Sequence, residues 1–479
     1  MADIINSVGI DIGTSTTQLI FSRLVIENRA SSYTVPRIDI VDKQVTYRSA
    51  IYFTPLLSAD EIDAAAVKEI VRSEYQKAKM SPDMVQSGAV IITGETARKQ
   101  NANQVLNALS EWAGDFVVAT AGPDLESVLS ARGAGTDTMS EEHRTVMANL
   151  DIGGGTTNIA AYNKGTLIGV TCLDIGGRLI KIENGKISYV FHKIKKLADD
   201  IGVRLEVGAA ANAAALCRVT DKMAEILAES IGLAPKTGLS DGMYTNDGKP
   251  LPEHPPITEL TLSGGVADCF YNAAGHSAND VFKYGDVGVL LGDSIRANRS
   301  FSSVNILHPA ETIRATVVGA GIHTTQISGS TISFPDGVLP IKNIPILRIS
   351  EPDEESSDTI ISSIRAQLPL YMTDGRQEQV AISFAGWDKG TFDALQKLAD
   401  ALVKGAEEVI KGPFPLIFII ENDIGKALGH TLNVKLDHNK YVICIDGVRA
   451  LNGDYIDIGE PVCGGHVLPV VIKTLIFNS

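Results

Sequence analysis

One internal repeat constrains the fold of this chain more than any other feature. Residues 11–17 read DIGTSTT and residues 151–157 read DIGGGTT, so Asp, Ile, Gly and two Thr recur in register. Each copy follows apolar residues and leads into a second strand-like run, Leu19–Phe21 in the first copy and Ile159–Tyr162 in the second. A strand, a tight turn and another strand make a β-hairpin. The repeat therefore predicts two similar lobes, each with one such hairpin.

The tip of each predicted hairpin carries groups that bind phosphate. Its turn exposes several backbone N–H groups, glycine lets the backbone approach an anion closely, and the hydroxyls add donors. The candidate phosphate-binding residues are Gly13, Thr14, Ser15, Thr16, Gly153, Gly154, Gly155 and Thr156. Asp11 and Asp151 end the strands before the turns, where a carboxylate can hold Mg²⁺ directly or through its water shell. A polyphosphate held between two lobes is the expected ligand.

Composition excludes several other classes of protein. A net charge of −15 disfavours nucleic acid and anionic membranes as partners. The most apolar tracts, Pro415–Ile420 and Val467–Phe477, are far shorter than the ~20 residues needed to span a bilayer. The five cysteines are dispersed and form no C-x-x-C pair, which favours a reducing compartment. We therefore expect a cytoplasmic protein with no nucleic-acid or membrane partner.

Strand-like and helix-like segments alternate along the chain, which is typical of an α/β fold. Ala211–Ile231 and Asp388–Lys411 carry apolar residues at steps of three and four, so both are predicted helices. Leu416–Ile420 is a predicted buried strand. Lys236–Pro256 is rich in proline and glycine and is a predicted surface loop, and the acidic run Glu351–Asp358 is predicted to be an exposed loop or linker.

Motifs of other nucleotide-binding folds and of zinc proteases are absent from the sequence. No G-x-x-x-x-G-K-[ST] occurs, so a P-loop is disfavoured, and no complete G-x-G-x-x-G is present. H-E-x-x-H does not occur either, so zinc-protease chemistry has no support.

The two hairpins resemble the phosphate motifs of the superfamily of actin, hexokinase and heat-shock-chaperone ATPases. Residues 260–265 (LTLSGG) resemble its adenosine motif, in which Gly264 and Gly265 would lie against the purine and ribose. Residues 124–133 resemble its connecting helix, on which Asp124, with Glu126 close behind, would orient the attacking water. The resemblance implies ATP and Mg²⁺ as cofactors, with Asp11 and Asp151 holding the metal.

Several assignments remain open at this point. Gly319–Ser330 is a second glycine-rich turn after the strand-like Thr316–Val318, and it competes with Gly264 for the adenosine role. Asp174–Gly177 resembles either the turn beside the γ-phosphate or a plain tight turn. The remaining candidates are interpreted as loop or surface residues rather than ligands: His323, His438, Glu421 and Asp423.

A narrower resemblance covers most of the chain. Five segments are similar to the ethanolamine ammonia-lyase reactivating factors: residues 8–19, 93–99, 116–127, 149–158 and 453–477. The resemblance implies a slow Mg²⁺-dependent ATPase that acts as a chaperone, exchanging damaged cobalamin in ethanolamine ammonia-lyase for intact adenosylcobalamin. It implies the lyase as partner and a cytoplasmic location, and it leaves open a homodimer and association with the ethanolamine-utilisation microcompartment.

We therefore predict an actin-like, ribonuclease H-like ATPase fold with an additional α/β domain. The first lobe would span residues 1–148, the second lobe residues 149–300, and the C-terminal domain, a surface for the partner, residues 301–479. Two alternatives stay open on the same fold: a small-molecule kinase and an actin-like filament protein. A kinase needs a carboxylate base beside a substrate hydroxyl, for which the sequence offers no clear candidate beyond the metal positions.

Overall fold

A computed structural model describes most of the chain, and its three largest β-sheets organise two lobes and a C-terminal domain. The described residues are 3–13, 16–28, 38–58, 61–93, 101, 105, 109, 118–120, 123–245, 249–272, 281–323, 325–328, 332–373, 376–386, 391–451, 454–462, 465 and 467–474.

The first lobe is built on a six-stranded sheet in the order β3-β2-β1-β7-β8, with β4 paired to β2. Its strands are β1 (Asp3–Ile12), β2 (Thr16–Asn28), β3 (Ile38–Arg48), β4 (Tyr52–Phe53), β7 (Ser87–Ile92) and β8 (Val118–Thr120); the short pair β5 (Leu56–Ser58) and β6 (Glu61–Ile62) precedes the helix Ala64–Ala78. Strands β1, β2 and β3 form an antiparallel meander, whereas β7 is parallel to β1 and β8 is parallel to β7.

The second lobe has a five-stranded sheet in the order β11-β10-β9-β14-β15. Its strands are β9 (Val146–Ile152), β10 (Thr157–Asn163), β11 (Thr166–Leu173), β14 (Glu259–Ser263) and β15 (Asn305–Leu307), beside a ribbon of β12 (Ile180–Glu183) and β13 (Lys186–Val190). Its helices are Thr136–His143, His192–Asp200, Ala213–Ser230, Gly265–Tyr271 and Gly288–Ala297.

Both sheets consist of an antiparallel meander of three strands followed by two parallel strands. This shared order confirms the predicted pair of ribonuclease H-like lobes and the actin-like fold. Both predicted hairpins are present, as β1–β2 and β9–β10. The strand β15 extends the second sheet beyond residue 300, where the sequence had suggested that this lobe ends.

Because side chains alternate along β1, its two faces contact different parts of the protein. Val8, Ile10 and Ile12 are buried against the helix Ala64–Ala78. Ser7, Gly9 and Asp11 lie on the opposite face, where Ser7 Oγ donates a hydrogen bond to the carbonyl of Gly321. The apolar alternation that forms the strand therefore also turns Asp11 away from the core of the lobe.

The C-terminal domain is a seven-stranded sheet in the order β16-β24-β23-β17-β20-β21-β22. Its strands are β16 (Thr325–Ile327), β17 (Ile341–Arg348), β20 (Ala381–Phe384), β21 (Leu416–Ile420), β22 (Val442–Ile445), β23 (Asp454–Ile458) and β24 (Pro469–Thr474), with a ribbon of β18 (Met372–Thr373) and β19 (Arg376–Gln377). The helices of this domain are Ser357–Gln367, Phe392–Gly405, Glu407–Lys411 and Gly425–Lys435. An α/β domain is thus confirmed here.

Two local predictions in this part of the chain are wrong. The predicted strand Thr316–Val318 is helical. The acidic run Glu351–Asp358 is no linker, because it contains the short helix Pro352–Glu355 and the start of the helix Ser357–Gln367, capped by Ser356. Glu354 is buried and accepts hydrogen bonds from the backbone N–H groups of Ala385 and Gly386 at 2.6 and 2.8 Å. The helix predicted over Asp388–Lys411 is confirmed as two consecutive helices, Phe392–Gly405 and Glu407–Lys411, and the first residues of the prediction lie outside the described residues.

Two connecting helices join the lobes and cross each other at glycines. The first connecting helix is Pro123–Ala134, and the second is Ala315–Val318, continued by the π-helical turn Gly319–His323. A Cβ atom on Gly133 would lie 1.8 Å from the carbonyl oxygen of Ala315, and one on Gly319 would lie 1.9 Å from that of Leu129. The two backbones are in direct contact, so only residues without a side chain fit at the crossing.

Replacement of Gly319 by alanine tests this crossing. We expect Gly319→Ala to lower the free energy of unfolding by about 3 kcal/mol, the upper end of the usual cost of overpacking. That cost exceeds the about 1 kcal/mol that alanine contributes through helix propensity. Chemical denaturation measures the change.

Gly242→Ala is the matched control, because a Cβ there meets no atom within 4 Å. It should change the free energy of unfolding by less than about 0.5 kcal/mol. Equal stabilities for the two variants would contradict the close crossing.

Candidate functional site

Two buried carboxylates, Asp11 and Asp151, occupy equivalent positions at the ends of β1 and β9. They are only 6% and 7% exposed. Asp11 Oδ1 accepts a hydrogen bond from Thr93 Oγ1 at 3.0 Å. Asp151 Oδ1 accepts one from Ser263 Oγ at 2.7 Å, and its Oδ2 lies 3.5 Å from the hydroxyl of Thr316 in the second connecting helix. Neither carboxylate has a cationic partner among these contacts.

Burial without a neighbouring cation raises the pKa of both carboxyl groups. Burial raises the pKa of Asp11 from its ordinary value of 3.8 to about 7, and the charge of Asp151 adds to this rise although Thr93 and Gln18 lower it. Burial likewise raises the pKa of Asp151 to about 6, against hydrogen bonds from Ser263 and Thr316 that lower it. Two carboxylates in such an environment favour a cation that would neutralise them.

The hairpin turns beside these carboxylates close in the same way. The N–H of Gly13 donates to the carbonyl of Thr16 at 2.8 Å, and the N–H of Gly153 donates to the carbonyl of Thr156 at 2.9 Å. A Cβ on Gly155 would meet nothing within 4 Å, so the second turn faces open space. Two predicted phosphate-binding residues, Thr14 and Ser15, lie outside the described residues.

Two amides that the sequence analysis missed complete the repeat. Gln18 is opposite Asp11 across the first hairpin, and Asn158 is opposite Asp151 across the second. Both side chains are buried, and Gln18 Oε1 and Asn158 Oδ1 accept no hydrogen bond from any described residue. A buried amide oxygen that lacks a hydrogen-bond donor and lies beside a carboxylate suits a hydrated hard cation, because the water ligands of the cation donate hydrogen bonds. Each amide follows its aspartate by the same number of residues, and this equal separation could have identified the pair from the sequence.

Asp174–Gly177, which resembles either the turn beside the γ-phosphate or a plain tight turn, lies against the second hairpin. The N–H of Gly177 donates to the carbonyl of Gly153 at 3.0 Å, and the N–H of Arg178 donates to that of Gly154 at 2.7 Å. A Cβ on Gly176 would lie 2.5 Å from the carbonyl oxygen of Gly154. This turn therefore forms a second layer of backbone around the second hairpin.

Gly264 and Gly265 form an open turn at the end of β14. Gly264 has a φ of +84°, and a Cβ there would lie 2.5 Å from the carbonyl oxygen of Ile152, so glycine is required on both grounds. A Cβ on Gly265 would meet nothing within 4 Å. The N–H of Gly264 donates to the carbonyl of Thr312 at 3.1 Å. The turn is thus fixed beside the second hairpin and open on its other side.

The competing glycine-rich segment is built into the helix crossing. Gly319 packs on Leu129, and a Cβ on Gly321 would lie 3.0 Å from the backbone nitrogen of Gly9. These glycines contact protein backbone rather than a cleft, which favours Gly264 for the adenosine role. The segment just before them, residues 312–316, reaches both lobes: Gln18 Nε2 donates to the carbonyl of Ile313 at 3.2 Å, and Thr316 contacts Asp151.

Asp124 lies in the first turn of the first connecting helix. Burial, together with the charges of Glu126, Asp174 and Asp124, raises the pKa of the Cys172 thiol. Asp124 is therefore close to β11 of the second lobe, and its role toward an attacking water stays a prediction. Among the described side chains, no group of three or more His, Cys, Asp or Glu residues is arranged to hold a metal ion.

The remaining sequence candidates lie elsewhere. Glu421 forms an ion pair with Arg348 at 2.7 Å in the C-terminal domain. Asp423 and His438 are exposed there, and the side chain of His323 lies outside the described ones. In the part of the chain that the structure describes, no helix has the length and apolarity to cross a bilayer.

Comparisons with known proteins agree over nearly the whole chain. A family model described as ethanolamine utilisation protein EutA matches residues 3–478. Two proteins named ethanolamine ammonia-lyase reactivase EutA are each 37% identical to this chain, one from Salmonella typhimurium over 476 residues and one from Escherichia coli over 477 residues. Each alignment covers 99% of this chain and 98% of the relative.

Solved structures are more distant. A Ppx/GppA family member from Aquifex aeolicus is 13% identical with a TM-score of 0.39, covering 66% of this chain and 97% of that one. The ethanolamine utilization protein EutJ from Carboxydothermus hydrogenoformans is 17% identical with a TM-score of 0.33, covering 66% of this chain and 88% of that one. The fold assignment rests on the two sheets described above rather than on these likenesses.

The buried charge of Asp11 should appear in the pH dependence of stability. Because its folded pKa is raised, the folded protein holds this proton more tightly than the unfolded chain, and the free energy of unfolding falls as pH rises from about 4 to about 7. Without Mg²⁺ and nucleotide, Asp11→Asn should therefore be more stable than the wild type at pH 8 by about 2 kcal/mol or more, since one pKa unit corresponds to about 1.4 kcal/mol.

Urea denaturation at several pH values measures this difference, which should shrink through pH 4 and vanish below about pH 3, where wild-type Asp11 is protonated in both states. A difference that does not depend on pH would contradict the buried, unneutralised carboxylate.

Proposed function

The chain belongs to the family of ethanolamine utilisation protein EutA, and on that basis we propose that it is an ATP-driven chaperone that reactivates ethanolamine ammonia-lyase. Its full-length relatives carry the name reactivase of that lyase, and the alignment spans nearly all of both chains. In this proposal it releases damaged cobalamin from the lyase so that intact adenosylcobalamin can enter. It would act in the cytoplasm, with the ethanolamine-utilisation microcompartment as its setting.

The proposed ATP hydrolysis is supported mainly by the duplicated hairpin, each copy of which has a buried carboxylate and a buried amide. Asp11 with Gln18, and Asp151 with Asn158, present matching oxygen atoms from the two lobes. These groups fit a hydrated Mg²⁺ ion, because the carboxylates have no cationic partner among the described contacts and the amide oxygens accept no hydrogen bond there. Bound Mg²⁺ would neutralise phosphate charge.

The hairpin turns would bind the phosphates through backbone N–H groups. Gly155 in the second turn and Gly265 beside it both border open space, which leaves room for phosphate at one and for adenosine at the other. Asp124 would orient the attacking water from the first connecting helix. Hydrolysis would break the bond between the γ-phosphorus and the bridging oxygen, and water would supply the oxygen of the released phosphate.

The contacts of the second connecting helix support a route from the nucleotide to the C-terminal domain. Its Ala320 is buried in one cluster with Leu129 of the first connecting helix, Ile91 of the first lobe and Val471 of β24. Its Thr316 contacts Asp151. A change in lobe closure would therefore move β24, and with it the domain that we propose to contact the lyase.

Loss of one carboxylate should stop turnover without unfolding the protein. We expect Asp151→Asn to reduce ATP hydrolysis by at least about 100-fold, because a neutral amide stabilises neither the metal nor developing phosphoryl charge. Release of inorganic phosphate measures the effect. Asp221→Asn is the control, because the exposed Asp221 also accepts a serine hydroxyl hydrogen bond at 2.7 Å, from Ser294. Turnover near the wild-type rate in Asp151→Asn would contradict the assignment.

Variants of two neighbouring valines of β24 distinguish an effect on the proposed route to the C-terminal domain from an effect on protein stability. Val471 packs against Ala320 and Leu129 of the two connecting helices, whereas Val470 packs into the interior of the C-terminal domain, and both valines are fully buried. We expect Val471→Ala to reduce recovery of lyase activity at least ~5-fold relative to Val470→Ala, with ATP hydrolysis retained in both, because both substitutions remove the same buried groups. Equal recovery by the two variants would contradict this route.

A further inference from the structure

Arg178 follows the glycine turn Asp174–Gly177 and is positioned by backbone contacts on two sides. Its N–H donates to the carbonyl of Gly154 in the second hairpin at 2.7 Å. The preceding Gly177 packs on Gly288, where a Cβ would lie 2.9 Å from the Gly288 Cα. The carbonyl of Gly177 accepts a hydrogen bond from the N–H of Val287 at 3.0 Å. The start of this side chain is therefore fixed against the phosphate turn of the second lobe.

The far end of the same side chain reaches the first lobe. The guanidinium carbon of Arg178 lies 5.8 Å from the ring centroid of Phe53. Phe53 belongs to β4 and pairs directly with Thr16, the residue at which the second strand of the first hairpin begins. Its ring is 78% exposed, so little else covers it. Arg178 thus extends from one phosphate hairpin to the other.

The contacts that hold this guanidinium are both long. Its Nε lies 3.4 Å from Asp286 Oδ2, beyond the usual 2.7–3.2 Å of an N–H to oxygen hydrogen bond. The distance to Phe53 is near the ~6 Å limit of a cation–π contact. Among the described residues, its two Nη groups donate to no acceptor, and 30% of the side chain is exposed. The planar donors that suit a phosphate are therefore available.

We propose that Arg178 binds the terminal phosphate of ATP and so distinguishes ATP from ADP in the cleft. With ATP bound, the guanidinium leaves Phe53 and donates to the γ-phosphate oxygens. Hydrolysis transfers that phosphoryl group to water, giving ADP and inorganic phosphate, and release of the phosphate returns the guanidinium to Asp286 and Phe53. This inference rests on the proposed ATPase and adds the residue that senses the state of the nucleotide.

Calorimetric titration of the full chain with Mg²⁺ and either ADP or a non-hydrolysable ATP analogue tests the proposal. Arg178→Gln should weaken binding of the analogue about 10- to 100-fold, as expected for loss of a charge-assisted bidentate contact, and change ADP affinity less than about 2-fold. Arg178→Lys keeps the charge without the planar fork and should lie between. Retained ADP binding also demonstrates that each variant is folded.

Lys181→Gln is the matched control, because it removes a nearby exposed positive charge whose Nζ lies over the ring of Tyr189 at 5.5 Å. It should leave both affinities unchanged. Phe53→Ala removes the protein contact that competes for the guanidinium, so the ratio of analogue affinity to ADP affinity should rise. A fall in that ratio would overturn the proposal.

The measurements distinguish failure of the role of Arg178 from failure of the proposed ATPase. If wild-type protein binds ADP and Arg178→Gln weakens neither nucleotide, or weakens both equally, the role of Arg178 is overturned and the ATPase proposal stands. If the wild-type protein binds neither nucleotide, the proposed function and this inference are overturned together.

Discussion

The close crossing of the two connecting helices is the constraint on which the rest of the structure depends. At Gly133 and Gly319 the two backbones touch, and the second connecting helix also lies against Gly9 of β1. A small change in the angle between the lobes would therefore be transmitted through this crossing, since closely packed backbones do not compress. Val471 of the C-terminal domain is buried against Leu129 and Ala320 of the two connecting helices, and this contact is the basis of the proposed coupling between that domain and the lobes.

Electrostatics would favour closure of the lobes in the proposed function. Asp11 and Asp151 are buried without a cationic partner among the described contacts, and burial raises the pKa of both carboxyls. A metal and a polyphosphate between the hairpins would relieve this cost while adding phosphate charge that needs its own donors. The turns offer backbone N–H groups, and Arg178 is the cation that already spans both lobes. In the proposed function, nucleotide binding and lobe closure would therefore occur together.

The sequence predicted the parts of the fold that repeat or alternate. The DIG-x-x-TT pair predicted both hairpins, with Asp11 and Asp151 at the ends of the strands before the turns. It misjudged Thr316–Val318 because β-branched residues favour strands until tertiary packing overrides that preference. The prediction that the acidic run Glu351–Asp358 is an exposed loop or linker was wrong because Glu354 is buried and accepts hydrogen bonds from two backbone N–H groups. These donors are distant in sequence, so no local pattern shows the contact. Gln18 and Asn158 could have been predicted from the sequence, because they follow Asp11 and Asp151 by the same number of residues.

The central claim is that nucleotide hydrolysis in this cleft restores an inactivated lyase. The most direct measurement mixes ethanolamine ammonia-lyase carrying cyanocobalamin with this protein, Mg²⁺ and adenosylcobalamin, and follows ethanolamine deamination over time. The account predicts recovery of activity with ATP, accompanied by release of cyanocobalamin, and no sustained recovery with a non-hydrolysable analogue. Recovery that is equal with and without ATP, or the absence of recovery while ATP is hydrolysed, would contradict it.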